Sequence, residues 1–195
     1  MLKRSLLLIC VLLLAACGEP KLPSPYHATD ISWRYTQPDF RLTDHNGKPR
    51  TLQDFSGKVV LLFFGYTHCP EVCPTTLVDM AQVMRKLGKD SERVQVLFVT
   101  LDPEQDSPEL LAKFVPYFDK SFLALYGDAQ ATAQAAKAFG VSYEKHENPS
   151  GGYTLDHTDA VYLIGAKSRP LLQSPYHQPI DLLVQDVRML LALER

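Results

Sequence analysis

Residues 59–74 read Val59-Val60-Leu61-Leu62-Phe63-Phe64-Gly65-Tyr66-Thr67-His68-Cys69-Pro70-Glu71-Val72-Cys73-Pro74. The unbroken apolar run 59–64 predicts a strand buried on both faces, as in the middle of a parallel sheet. Leu77, Ala81, Met84 and Leu87 then recur at helical spacing, with Gly88 as a stop, and predict a helix over 76–87. Between strand and helix lie two cysteines, four apart, each followed by proline. Strand, cysteine turn and helix together form the unit around which the rest of the chain is read.

Upstream, Phe40-Arg41-Leu42-Thr43 and Arg50-Thr51-Leu52 flank the turn residues Asp44 to Lys48, which predicts a β-hairpin. Downstream, Val94–Val99 is a second buried strand. Ser107-Pro108 opens a helix bearing Leu111, Phe114, Val115 and Phe118, with serine as N-cap and proline at the first helical position. Asp128 caps a further helix that ends at Gly140. Tyr143 and Tyr153–Leu155 flank a Gly151-Gly152 turn, 160–164 is a strand, and Ile180 to Leu191 carry a terminal helix. Alternating strands and helices predict an α/β sandwich, and their order resembles the thioredoxin-like fold with an N-terminal β-hairpin and a mid-chain insertion. Such sheets place chemistry in the loops at the carboxyl ends of their strands, which directs attention to the cysteine turn.

The chain has 195 residues, 46% of them hydrophobic, and a formal net charge of −2, which excludes wholesale disorder and a general electrostatic affinity for nucleic acid. Its one long apolar run is N-terminal: Lys3 and Arg4 precede Leu6 to Leu14, too short a run to span a bilayer comfortably. Leu14-Ala15-Ala16-Cys17 resembles the bacterial lipobox, in which the cysteine is acylated and becomes the first mature residue. The expected organisation is a lipoprotein signal peptide over 1–16, lipidated Cys17 with a proline-bearing tether over 17–37, and one domain over 38–195 on the periplasmic face of a membrane. Trp33 and Tyr35 suggest that the end of the tether docks on the domain.

Removal of the signal peptide and lipidation of Cys17 leave Cys69 and Cys73 as the free thiols. At a helix start, exposed N–H groups and the helix dipole favour thiolate over thiol. A structural disulfide across so short a loop adds little stability. The three-residue gap is one wider than that of the Cys-x-x-Cys oxidoreductases, which leans away from thiol exchange without excluding it. Two thiolates with one imidazole suit copper, whose monovalent form tolerates few ligands, whereas structural zinc wants four.

The third ligand must be found among the histidines. His27 and His45 read as solvated, His146 and His177 as surface, and His68 as directed away from the sulfur of the neighbouring cysteine. His157, in Leu155-Asp156-His157-Thr158-Asp159, stands just before strand 160–164, where a thioredoxin-like fold packs a loop against the cysteine turn. Asp156 or Asp159 is the expected acceptor orienting its ring. Met80 and Met84 lie on the helix with Leu77 and Leu87 and read as core.

These residues resemble the Sco/SenC family of copper-handling proteins. The resemblance runs through Phe40-x-Leu42-x-Asp44-x-x-Gly47, Gly57-Lys58, Phe64-Gly65-Tyr66-Thr67-x-Cys69-Pro70-Glu71-x-Cys73-Pro74, Asp102-Pro103-Glu104-x-Asp106-x-Pro108, and His157 ahead of Tyr162-Leu163-Ile164. It implies that Cys69, Cys73 and His157 bind copper, as Cu(I) and with Cu(II) as a second state. It further implies delivery to the dinuclear copper centre of cytochrome c oxidase subunit II and an anchor in the membrane. Gln105 and Ser107 depart from the arginine and threonine common in the Asp-Pro segment, and Asp102 is assigned to partner docking or electrostatics beside the metal turn. The rival reading is a thiol–disulfide oxidoreductase that keeps target cysteines reduced, using the same Cys69 and Cys73.

Overall fold

The computed structural model describes residues 24–35, 38–149, 151–169 and 171–193. The expected signal peptide, Cys17 and most of the tether lie outside the described residues. An eight-stranded mixed sheet forms the centre. Its middle is β4 (Val59–Gly65), fully buried, paired in parallel with β5 (Val94–Thr100), which pairs in parallel with β6 (Leu123–Tyr126). On the other side β9 (Val161–Ile164) runs antiparallel to β4, followed outward by β10 (Leu171–Ser174) and β1 (Thr29–Asp30). Beyond β6 lie β2 (Leu42–Asp44) and β3 (Pro49–Arg50), the expected N-terminal hairpin.

Four helices connect or flank these strands: α1 (Val72–Leu87), α2 (Pro108–Phe118), α3 (Ala129–Phe139) and α4 (Ile180–Ala192). Local signals set two of them. The Ser107 hydroxyl accepts from Leu110 N with Pro108 at the start of α2, and Asp128 accepts from Ala131 N while Gly140 closes α3 in the left-handed conformation. Met80 and Met84 are buried in the core, as their spacing predicts. Between α3 and β9, β7 (Tyr143–Glu147) and β8 (Tyr153–His157) make a separate two-stranded sheet that projects from the body.

Several elements differ from the sequence reading. Helix α1 begins at Val72 rather than Thr76, so Cys73 sits in its first turn while Cys69 precedes it. Strands β6 and β10 were not anticipated. Residues 28–31, read as tether, join the sheet edge because Ala28 and Ile31 are buried and the carboxylate of Asp186, itself buried, accepts the backbone N–H groups of His27 and Ala28. Tyr35 packs against the core, whereas Trp33 is exposed. His45 is not solvated: it is half-buried and its Nδ1 accepts from Ala124 N at 3.0 Å.

Candidate metal centre

Strand β4 delivers the chain to the end of the sheet, and the turn over residues 66–71 carries it into α1. Gly65 allows the two to meet closely, since a Cβ there would lie 2.7 Å from the Cys73 sulfur. Behind the turn, Asp106 is buried and accepts from Thr67 N, Thr67 Oγ1 (2.5 Å) and Thr100 Oγ1 (2.5 Å). This carboxylate ties the cysteine turn to the end of β5. Desolvation outweighs those hydrogen bonds and pushes its pKa upward.

The last residue of β8 brings the third group. Sγ of Cys69, Sγ of Cys73 and a ring nitrogen of His157 all lie within 4.8 Å of one another. Nε2 of His157 stands 3.5 Å from the Cys73 sulfur, and the Cys73 backbone N–H donates to the Cys69 sulfur at 3.4 Å. Edge-on contacts with Phe63 and Tyr66 wall in the imidazole. Its Nδ1 meets the carbonyl of Thr158 at 2.9 Å, so the proton belongs on Nδ1 and a lone pair on Nε2 is left facing the sulfurs. That carbonyl, not Asp156 or Asp159, orients the ring. Alternation along β8 turns Asp156 outward, where it meets His146 at 3.3 Å.

The two thiols are unequal. Cys73 is fully buried and Cys69 half-buried. A hydrogen bond from Cys73 holds the Cys69 pKa down to about 4; burial works against this, and His157 with the backbone N–H groups of Cys73 and Glu71 reinforces it. The same interaction and burial push the Cys73 thiol up. Burial draws His157 downward but is outweighed by Cys69, the Thr158 carbonyl and the charge of Asp159, so its pKa is raised. The thiolate of Cys69 and the imidazole of His157 line a recess of about 550 Å³ together with Pro70, Glu71 and Asp159, and the Cys73 thiol is buried beside them.

Among the described residues this is the one group of three or more His, Cys, Asp or Glu side chains placed to hold a metal ion. Two soft sulfurs and one nitrogen suit copper; the set is one short of closed structural zinc coordination. Asp102 is elsewhere: buried, it accepts from Tyr153 Oη at 2.7 Å and Gln105 at 3.2 Å, fastening the start of β8 rather than touching the cysteine turn. Sequence reasoning missed Asp106 and Gly65. Both stood in the motifs quoted above, but nothing local separates Asp106 from Asp102.

Comparison with known proteins agrees with this geometry. The SCO1/SenC family model matches residues 30–192. The mouse mitochondrial protein SCO2 homolog is 40% identical over 131 residues, 66% of this chain and 51% of that one. The chain thus spans about half the length of that relative. Apo Sco1 from Thermus thermophilus superposes with a TM-score of 0.74 at 41% identity, covering 85% of this chain and 96% of that one. Copper-bound ScoI from Bradyrhizobium japonicum gives 0.72 at 35% identity, covering 78% and 98%. These neighbours share the mixed α/β sandwich, the thioredoxin-like arrangement expected from element order.

Proposed function

Since the chain belongs to the SCO1/SenC family, we propose that it binds one copper ion through Cys69, Cys73 and His157 and hands it to a copper-accepting protein. The observation that carries this reading is the convergence of two sulfurs and one ring nitrogen within 4.8 Å from distant parts of the chain. The Sco family comprises cytochrome c oxidase assembly proteins, and the acceptor proposed here is the dinuclear copper centre of oxidase subunit II. Lipid on Cys17 would hold the domain at the periplasmic face of a membrane.

The donor set explains transfer as well as capture. Copper is the cargo. Cys69 is already anionic, so of the two sulfurs metal needs to displace a proton only from Cys73. Three ligands leave Cu(I) open to a fourth from the acceptor, so exchange can proceed by association instead of prior release. The half-buried Cys69 faces the recess and is the natural first sulfur to let go, while the fully buried Cys73 retains the ion until a partner ligand has entered.

The inequality of the thiols also supports the thiol–disulfide reading: the half-buried thiolate of Cys69 attacks, and the buried thiol of Cys73 resolves the mixed disulfide. One experiment separates the two. The reduced chain from Ser24 onward is titrated with Cu(I) in competition with a chromogenic chelator, beside Cys69→Ser, Cys73→Ser and His157→Ala variants. One copper per chain, lost in all three variants, upholds copper transfer. Wild-type binding by His157→Ala, with reductase turnover in copper-free protein, favours the rival.

A further inference from the structure

The chain has one tryptophan, and it stands in water: Trp33 is 84% exposed. Its neighbours are nonetheless fixed. Ile31 is buried and bonded to the Leu171 carbonyl, the Arg169 guanidinium donates to the carbonyls of Ser32 (3.1 Å) and Tyr35 (3.0 Å), and the Tyr35 hydroxyl packs over Gly140. A single large aromatic is therefore presented on an ordered turn. That turn lies at the end of the sheet opposite the cysteines, because β1 pairs with β10 in the register that leads from Ser174, near the site, down to Leu171.

The surroundings of Trp33 are cationic. Arg34 lies over the Tyr35 ring at 5.8 Å. Lys167 and Arg169 belong to the loop between β9 and β10, Lys58 adjoins Gly57, whose N–H bonds the Ala166 carbonyl of that loop, and Lys137 sits in the last turn of α3 beside Gly140. Asp30 and Asp39 accept backbone N–H groups, and Asp90, Glu92 and Asp119 lie at the same end of the sheet, ahead of β5 and β6. At the opposite end Glu71, Asp156 and Asp159 line the site recess. With a net charge of −2 the whole chain has no general attraction to an anionic surface, so any such attraction has to be local to the Trp33 turn and the loop beside it.

We propose that the Trp33 end of the domain rests on anionic phospholipid headgroups, with Trp33 in the interface and Arg34 and Lys58 against lipid phosphates. Tryptophan favours that layer, and basic side chains within a Debye length of it add attraction. The reading rests on the membrane-held placement given above. The chain enters β1 at its Ser174 end, and the seven residues from Cys17 to Ser24 extend at most about 25 Å, long enough to run back along the sheet and let the Trp33 end reach the surface. The consequence is an orientation. Strand β4 spans about 23 Å from Lys58 to the cysteine turn, so the copper site faces away from the lipid, toward a partner domain that projects from the same membrane.

The test uses the full chain with vesicles of phosphatidylcholine alone or mixed with phosphatidylglycerol, both containing lipid brominated near the headgroup. Flotation reads the anchor, and the emission of the single tryptophan reads the contact. The expected result is flotation with both vesicles, with Trp33 blue-shifted and quenched only where phosphatidylglycerol is present. High salt abolishes the quenching, and Arg34→Glu or Lys58→Glu weakens it about fivefold each. Flotation with water-like emission in both vesicles overturns the inference and leaves the anchor standing, as does equal quenching in neutral vesicles. Failure to float with phosphatidylcholine refutes the anchor instead; quenching by added phosphatidylglycerol vesicles then upholds the inference, and its absence overturns it.

Discussion

Nε2 of His157 lies 3.5 Å from the sulfur of Cys73 across 84 residues of chain. Two walls hold it there: the rings of Phe63 and Tyr66 on one side and the Thr158 carbonyl at Nδ1 on the other. An imidazole fixed in this way loses little freedom on binding metal, so its removal should cost more than a supporting contact. His157→Ala is expected to lower Cu(I) affinity by at least about 100-fold, beyond the range typical of groups that merely support a ligand. Competition with a chelator measures it, and circular dichroism shows that the fold survives.

The thiol asymmetry gives a pH signature. Cys69 has a pKa of about 4, so its anion persists from neutral pH down to that value, whereas the raised Cys73 stays protonated. Alkylation of the reduced, metal-free chain by iodoacetamide should therefore fall on Cys69 and proceed at pH 5.5, where an ordinary thiol at about 8.5 is nearly inert. Since the Cys73 hydrogen bond is the largest cause of the depression, Cys73→Ala, which removes the donor, should move the reactivity curve to higher pH, with His157→Ala having a smaller effect in the same direction. Mass spectrometry of the modified peptides over a pH series checks both statements.

How much of this was legible in sequence depends on how far the cause lies from the effect. The start of α2 and both ends of α3 are written locally, in Ser107-Pro108, Asp128 and Gly140. Strand β1 could not be read, because its anchor is a carboxylate 158 residues from Ala28. The cysteines announced themselves by spacing, and His157 by its place before an apolar strand. The orienting carbonyl of Thr158 leaves no trace in residue identity, which is why a carboxylate was expected in its stead.

Gly65 closes β4, and its missing side chain makes room for a ligand. A Cβ would meet the Cys73 sulfur at 2.7 Å and the rings of Phe98 and Phe63 at 3.0 and 3.1 Å, all of them buried and packed. Gly65→Ala should therefore destabilise the chain by about 1–3 kcal/mol, the usual cost of overpacking. It should also weaken copper binding by displacing that sulfur. Denaturant unfolding of the apo chain and Cu(I) competition read the two effects separately.

Asp102 and Asp106 are one helical turn apart in sequence and do different work. Asp106 grips the cysteine turn through Thr67 and Thr100, and asparagine has one oxygen where the carboxylate uses two. Asp106→Asn should leave a buried donor without a partner, at a cost of about 1–3 kcal/mol. Loosening the turn should lower Cu(I) affinity about tenfold or more. Asp102 grips Tyr153, four residues ahead of His157 on a hairpin that pairs with no strand of the main sheet. Asp102→Asn should therefore speed amide exchange across 153–157 while leaving Cys69 alkylation unchanged. Should Asp102→Asn instead shift Cys69 reactivity and Asp106→Asn leave it alone, the two carboxylates have been assigned the wrong way round.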